Sequence, residues 1–134
     1  MSVRRKSREL ALQALYQADM SAAPALENLA VLCANFEFSR RALPYGRELV
    51  EGVVANLAAI DAIIEESAVH WRMPRMSCID RNIMRIAVYE FRFLDDVPAG
   101  VAINEAIELA KRFGTEDSPA FINGILDAVR KAPR

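Results

Sequence analysis

The sequence predicts an all-α fold, a compact bundle of six to seven helices. Apolar residues recur at helical spacing along the chain, and no segment shows the alternation of a half-buried strand. Hydrophobic residues make up 53% of the 134 residues, with five Gly and six Pro, which argues against disorder. This length is typical of one domain, so we expect a single domain over residues 1–134.

The first half of the chain predicts three helices and a link. Periodicity starts the first helix near residue 4 and ends it near residue 20. Pro24 opens a second helix that fades after Phe36, and Pro44 opens the longest one, which ends near Ser67. Residues 70–76 contain Pro74 and predict a short helical turn or link.

Three further helices are predicted in the second half. Ser77 followed by Asp80 resembles a capping box with Asp in place of Glu, so a helix begins there and ends before residues 95–98. The next helix stops at Gly114. Ser118 and Pro119 form a cap and first-turn signal for the last helix.

The sequence lacks the residue patterns of common catalytic and metal sites. Cys33 and Cys78 form no CxxC pair, and a single histidine, His70, leaves too few ligands for a zinc site. No phosphate-binding loop, dinucleotide glycine motif, nucleophile elbow or HExxH helix is present. We therefore expect no catalytic residues, no metal and no cofactor, and a protein that works by binding.

The sequence also predicts a cytoplasmic protein. Polar residues interrupt the segment that follows the basic start, unlike the apolar stretch of a signal peptide. The longest apolar candidate for a membrane span, residues 53–64, is too short and contains Asn56 and Asp61. Two reduced, partly buried cysteines fit the same compartment.

The most informative feature is the basic run Arg4, Arg5, Lys6 and Arg8, in a chain whose net charge is −1. Arg4 and Arg8 are four residues apart on one helix face, and such a like-charge pair costs about 0.2–0.5 kcal/mol. The run also lies at the positive end of the helix dipole, where anions are favoured. The run is therefore poorly arranged for helix stability and well arranged for a polyanion, although a solvated chain terminus is the alternative.

If the polyanion is RNA, the basic run needs further contacts, because a few phosphate contacts bind weakly at physiological salt. Phe113 and Phe121 flank the loop at residues 114–118 and are candidates for stacking bases, although aromatic residues at helix ends often belong to the core. Arg81, Arg85 and Arg92 follow helical spacing and are either a second anion contact or a solvated face.

Several segments together resemble the NusB family, and they cover the chain in order. Their sequences are RRKSRE at 4–9, QALY at 13–16, IDR at 79–81, RIAVYE at 85–90, DVP at 96–98, VAINEAIELAK at 101–111, FGTEDS at 113–118 and FINGIL at 121–126. The carboxy-terminal segments are the most specific.

The resemblance implies an all-helical fold of two packed helical subdomains. It also implies a non-enzymatic transcription antitermination factor. Members of the family bind the single-stranded boxA element of nascent transcripts, including ribosomal RNA leaders. They do so with NusE, the ribosomal protein S10, within an antitermination complex on RNA polymerase.

The resemblance further implies roles for particular residues. By position, the RNA-binding residues are Arg4, Arg5, Lys6, Arg8, Phe113, Asp117 and Phe121. Tyr16 and Asp80 match positions on the side that faces the ribosomal protein. Residues 95–100 lack basic residues that relatives can carry, so RNA contacts are not expected there.

Two alternatives remain open from the sequence. The same helical domain occurs fused to ribosomal RNA cytosine methyltransferases, but this chain has no cofactor-binding half. Its apolar surplus could instead be buried in a homodimer that serves protein interaction.

Overall fold

The structure, a computed structural model, describes residues 2–35 and 40–133. Every regular element in these residues is helical, which confirms the all-α prediction. The α-helices are α1 Val3–Ser21, α2 Ala25–Asn35, α3 Leu43–Ala55, α4 Leu57–Ser67, α5 Cys78–Phe93, α6 Ala99–Phe113 and α7 Ser118–Lys131. Two short 3-10 turns, Arg40–Ala42 and Met73–Arg75, lie in the connections. None of these described helices is both long and apolar enough to cross a membrane.

The chain divides into two compact units, Met1–Ala55 and Asn56–Arg134. In the first unit, α1 packs against both α2 and α3, and those two helices also contact each other. In the second unit, α5 packs against α4, α6 and α7, and α7 also contacts α4 and α6. The prediction that residues 1–134 act as a single RNA-binding domain stays a prediction.

In the first unit, the start of α1 is fixed by close packing. The buried Ser7 hydroxyl oxygen lies 2.8 Å from the Ala42 carbonyl oxygen and 2.9 Å from that of Val3. On α3, a side chain at Gly46 would place its Cβ only 3.3 Å from a methyl group of Leu10. The absence of a side chain at Gly46 therefore lets α3 approach α1 closely, which sets the position of the neighbouring Tyr45.

The prediction of one helix over residues 44–67 is wrong, because α3 ends at Ala55 and α4 begins at Leu57. Asn56 lies between them with φ −117° and ψ 20°, outside the helical region. Asparagine is unfavourable inside a helix, because its short amide side chain competes for backbone hydrogen bonds. Val54 and Leu57 are exposed on either side of the break, so the apolar stripe is not continuous.

The central helix of the second unit, α5, begins where the sequence predicted. The Ser77 side chain accepts a hydrogen bond from the Asp80 backbone N–H at 3.1 Å, so Ser77 is the N-cap of α5. Residues 79–91 of α5 are almost all buried. The predicted link before this helix contains the 3-10 turn Met73–Arg75.

Candidate nucleic-acid interface

Three of the four cations in the basic run at the start of α1 keep exposed surface. The N-cap of the helix is Ser2, whose side chain accepts a hydrogen bond from the Arg5 backbone N–H at 3.1 Å. Arg4 and Lys6 are exposed and Arg5 is partly exposed, and the first turn carries no acidic residue. We call Arg4, Arg5 and Lys6 the basic start. It presents a local positive charge to an external anion.

Tyr45 of α3 holds two arginine side chains of this region. The guanidinium carbon of Arg4 lies 4.3 Å from the centroid of the Tyr45 ring, and that of Arg8 lies 5.9 Å away. A cation over an aromatic face gains about 0.5–1 kcal/mol at an exposed site, which offsets the repulsion between the two arginines. No local sequence pattern points to Tyr45, because the contact joins residues on different helices.

Arg8 differs from the three cations of the basic start. It is only 4% exposed, so little of its side chain is available to a phosphate group. Its assignment as an RNA-binding residue stays a prediction, and its burial favours a role through Tyr45.

The loop between α6 and α7 is tightly held. The Ser118 hydroxyl oxygen accepts a hydrogen bond from the Thr115 backbone N–H at 2.9 Å. A Cβ at Gly114 would lie 2.5 Å from that oxygen and 2.9 Å from the Ala110 carbonyl oxygen, so a larger residue does not fit. Ser118 was expected to cap α7, but Asp117 is the N-cap and Ser118 bonds back into the loop.

The three predicted RNA-binding residues near this loop keep exposed surface. Asp117 is exposed, and Phe113 and Phe121 are partly exposed. The Arg112 guanidinium carbon lies 5.2 Å from the Phe113 ring centroid. The Phe121 ring meets the ring of Trp71 edge to face, with 5.5 Å between centroids and an interplanar angle of 81°. Neither phenylalanine is fully buried in the core, so each keeps ring surface for the predicted stacking role.

Two residues were expected to face a protein partner. Tyr16 on α1 is partly exposed. Asp80 lies in the first turn of α5 and is 8% exposed. Among the residues that the structure describes, its Oδ1 is a buried oxygen that accepts no hydrogen bond. Such an unmet acceptor costs about 1–3 kcal/mol.

The arginine stripe on α5 makes hydrogen bonds within the fold at all three positions. Arg81 donates to the carbonyl oxygens of Met73 and Met76, both at 3.4 Å. Arg85 forms an ion pair with Asp61, with nitrogen–oxygen distances of 2.8 and 2.9 Å.

Arg92, the third member of the stripe, donates to the Val129 and Ala132 carbonyl oxygens at 2.7 and 3.3 Å, near the end of α7. The three guanidinium groups therefore hold elements of the fold together.

The prediction of reduced, partly buried cysteines can be compared with the structure only at Cys78. Cys78 is a partly buried thiol that forms no disulfide, whereas the side chain of Cys33 lies outside the described residues. Within residues 2–35 and 40–133, no group of three or more His, Cys, Asp and Glu side chains is placed to hold a metal ion.

Known proteins resemble the chain across both compact units. Residues 5–131 match the model of the NusB family. The transcription antitermination protein NusB of Desulfatibacillum aliphaticivorans is 50% identical over 129 residues, covering 96% of this chain and 90% of the relative. The solved structure of T. maritima NusB is 38% identical with a TM-score of 0.86, and covers 96% of this chain and 90% of that one. A structure of antitermination factors NusB and NusE in complex with dsRNA is 29% identical with a TM-score of 0.86, and covers 99% of both chains.

Proposed function

The chain belongs to the NusB family, and on that basis we propose that it is a transcription antitermination factor. It binds boxA-type RNA of nascent transcripts together with ribosomal protein S10 (NusE). In this role it is a non-enzymatic, cytoplasmic component of the antitermination complex on RNA polymerase. The structural observation that carries the proposal is the exposed basic start of α1, whose charge faces outward without an acidic residue in the same turn.

The basic start supplies the phosphate contacts in this proposal. Arg4 and Lys6 are exposed and Arg5 is partly exposed, so their charged groups are accessible to a polynucleotide backbone. Arg8 acts as a positioning residue, because its buried guanidinium group shares the Tyr45 ring with Arg4. A backbone contact of this kind is independent of base sequence.

The loop between α6 and α7 supplies contacts to bases. Phe113 and Phe121 keep part of their rings exposed, and base–aromatic stacking contributes about 1–3 kcal/mol per base. The exposed Asp117 carboxylate would repel phosphates, so its favourable RNA partner is a base amino group. The hydrogen bond from the Thr115 N–H to the Ser118 hydroxyl holds the loop that joins the two helices near these side chains.

Tyr16 and Asp80 supply contacts to S10. Asp80 offers a buried carboxylate oxygen that is unmet within the described part of the chain. The Asp80 side chain would have to turn outward to reach a donor on S10, and a hydrogen bond to a charged group then contributes about 1.5–3 kcal/mol.

Replacing Asp80 by Ala is expected to weaken S10 binding by about tenfold to a hundredfold. The isolated chain should unfold at the same temperature or a higher one, because the replacement removes a buried oxygen that makes no hydrogen bond within the described residues. Calorimetric titration with S10 and a thermal melt measure the two effects. The exposed Asp95 provides a matched control, and Asp95→Ala should leave S10 binding unchanged. Equal affinity of D80A and the unmodified chain for S10 would remove Asp80 from the interface.

A titration of labelled boxA RNA with and without S10, at two salt concentrations, tests the proposed function. We expect S10 to tighten binding and higher salt to weaken it, because phosphate contacts release counterions. No binding at low ionic strength in the presence of S10 would overturn the proposal. Sedimentation of the same samples tests the homodimer alternative, which predicts a stable dimer that leaves RNA unbound. Methyl transfer from S-adenosylmethionine to RNA would instead identify an enzyme.

A further inference from the structure

We propose that Trp71 stacks an unpaired base of the bound RNA and, with Phe121, forms an aromatic platform in the second unit. The inference rests on the proposed RNA-binding function and extends it to a residue outside the predicted site. Trp71 is the single tryptophan of the chain, so its environment can be followed directly.

The geometry of the aromatic pair favours a stacking role. Trp71 is 47% exposed, although tryptophan is normally largely buried. Its contact with Phe121 is edge to face, at 5.5 Å between centroids and 81° between planes. Such an arrangement fixes both rings and does not cover them as a parallel stack would. Phe121 also begins the helical hydrogen bonding of α7 by donating its N–H to the Asp117 carbonyl oxygen at 3.1 Å. The platform is therefore continuous with the loop proposed to contact bases.

The segment that carries Trp71 is held by hydrogen bonds on both sides. The Trp71 backbone N–H donates to the Ala68 carbonyl oxygen at 3.0 Å. The Met73 backbone N–H donates to the Glu65 carboxylate at 2.9 Å. The Arg81 side chain reaches the Met73 carbonyl oxygen from α5. The backbone on both sides of Trp71 is thus fixed while its ring stays exposed.

The surroundings of Trp71 suit a nucleotide better than an apolar protein segment. Arg72 and Arg75 are exposed in the same segment as Trp71, and each can contact a phosphate group. An open cavity of about 310 Å³ is lined by Trp71 together with Glu65, His70 and Arg72. These side chains offer donors and acceptors to the edge of a base whose face lies on the indole ring. Stacking on an aromatic side chain with cations nearby is the usual mode of single-strand recognition.

Tryptophan fluorescence during the RNA titration tests this platform. We expect boxA-type RNA to quench the emission of Trp71 in the complex with S10, because a stacked base contacts the indole ring. The same complex with Trp71→Phe supplies the background from S10. Trp71→Ala should bind RNA about fivefold to a hundredfold more weakly, whereas Trp71→Phe, which keeps an aromatic face, should stay within about threefold of the unmodified chain.

The exposed Val101 on α6, which does not line the cavity, provides a control, and Val101→Ala should leave RNA affinity unchanged. Tight RNA binding with unchanged Trp71 emission and unchanged affinity of W71A would overturn this inference while leaving the proposed function intact. A quench caused by S10 alone, with none added by RNA, would identify Trp71 as a protein contact and also overturn it. Absence of any RNA binding by the unmodified complex would overturn both proposals. If W71A fails to fold, the quench of Trp71 emission by RNA in the unmodified complex decides.

Discussion

Replacing Arg85 by Ala is expected to lower the free energy of unfolding by about 3–5 kcal/mol, the usual cost of removing one partner from a buried ion pair. The Arg85 side chain is 9% exposed and that of Asp61 is 23% exposed, so the pair is largely shielded from water. Arg85 also donates to the Asn82 side-chain oxygen at 3.0 Å. Its loss leaves a carboxylate without a counterion and a buried amide oxygen without this donor.

Urea unfolding followed by circular dichroism measures this cost. The double replacement Asp61→Ala with Arg85→Ala should cost less than the sum of the two single replacements, because no uncompensated charge remains. A loss below about 1 kcal/mol for Arg85→Ala alone would contradict the structural role that we assign to the pair.

Replacing Arg4, Arg5 and Lys6 together by Ala is expected to flatten the salt dependence of RNA binding by about two units. Each phosphate contact on a single strand contributes about −0.7 to the slope of log affinity against log salt. At 0.15 M salt, this change corresponds to roughly fiftyfold weaker binding, taking the three contacts to contribute little at 1 M. Fluorescence anisotropy over a series of salt concentrations provides both numbers.

A control for this triple replacement removes the same charge elsewhere. Arg47, Arg130 and Lys131 are exposed, and two of them form surface ion pairs, Arg47 with Glu51 at 3.9 Å and Lys131 with Asp127 at 2.9 Å. Their replacement by Ala should leave the salt slope unchanged. Equal effects of the two triple variants would show that net charge, and not the basic start, determines RNA affinity.

Most of the helical fold could be predicted from the sequence because the helices bury periodic apolar faces. The exception is the break at Asn56, which lies between two stretches that both satisfy helical periodicity. Periodicity shows that each stretch is amphipathic, but it does not reveal a single non-helical residue between them. The start of α5 was predictable to the residue, because a capping motif acts over three positions.

The site was predictable only where its chemistry is local in sequence. The cations of the basic start are consecutive residues, so the sequence alone reveals their concentrated charge. No sequence pattern points to Tyr45 or Trp71, because each meets its partner through packing between separate elements.

For the arginine stripe of α5, the sequence pattern was visible but the contacts of its side chains were not. Its spacing correctly predicted one helix, but spacing carries no information about the carbonyl and carboxylate groups that other elements bring to it. The sequence could not predict that a buried Asp80 oxygen lacks a hydrogen-bond donor, because only the packed fold shows which acceptors lack donors.

The Tyr45 ring has a consequence for the thermodynamics of binding. A long side chain such as arginine loses up to about 1.5–2 kcal/mol of rotational freedom when it becomes ordered. Because Arg4 and Arg8 already rest against the ring, part of that entropy is lost when the chain folds and not when a polyanion arrives. The opening helix is thereby preorganised, and it gains more affinity per cation than a flexible basic tail of equal charge.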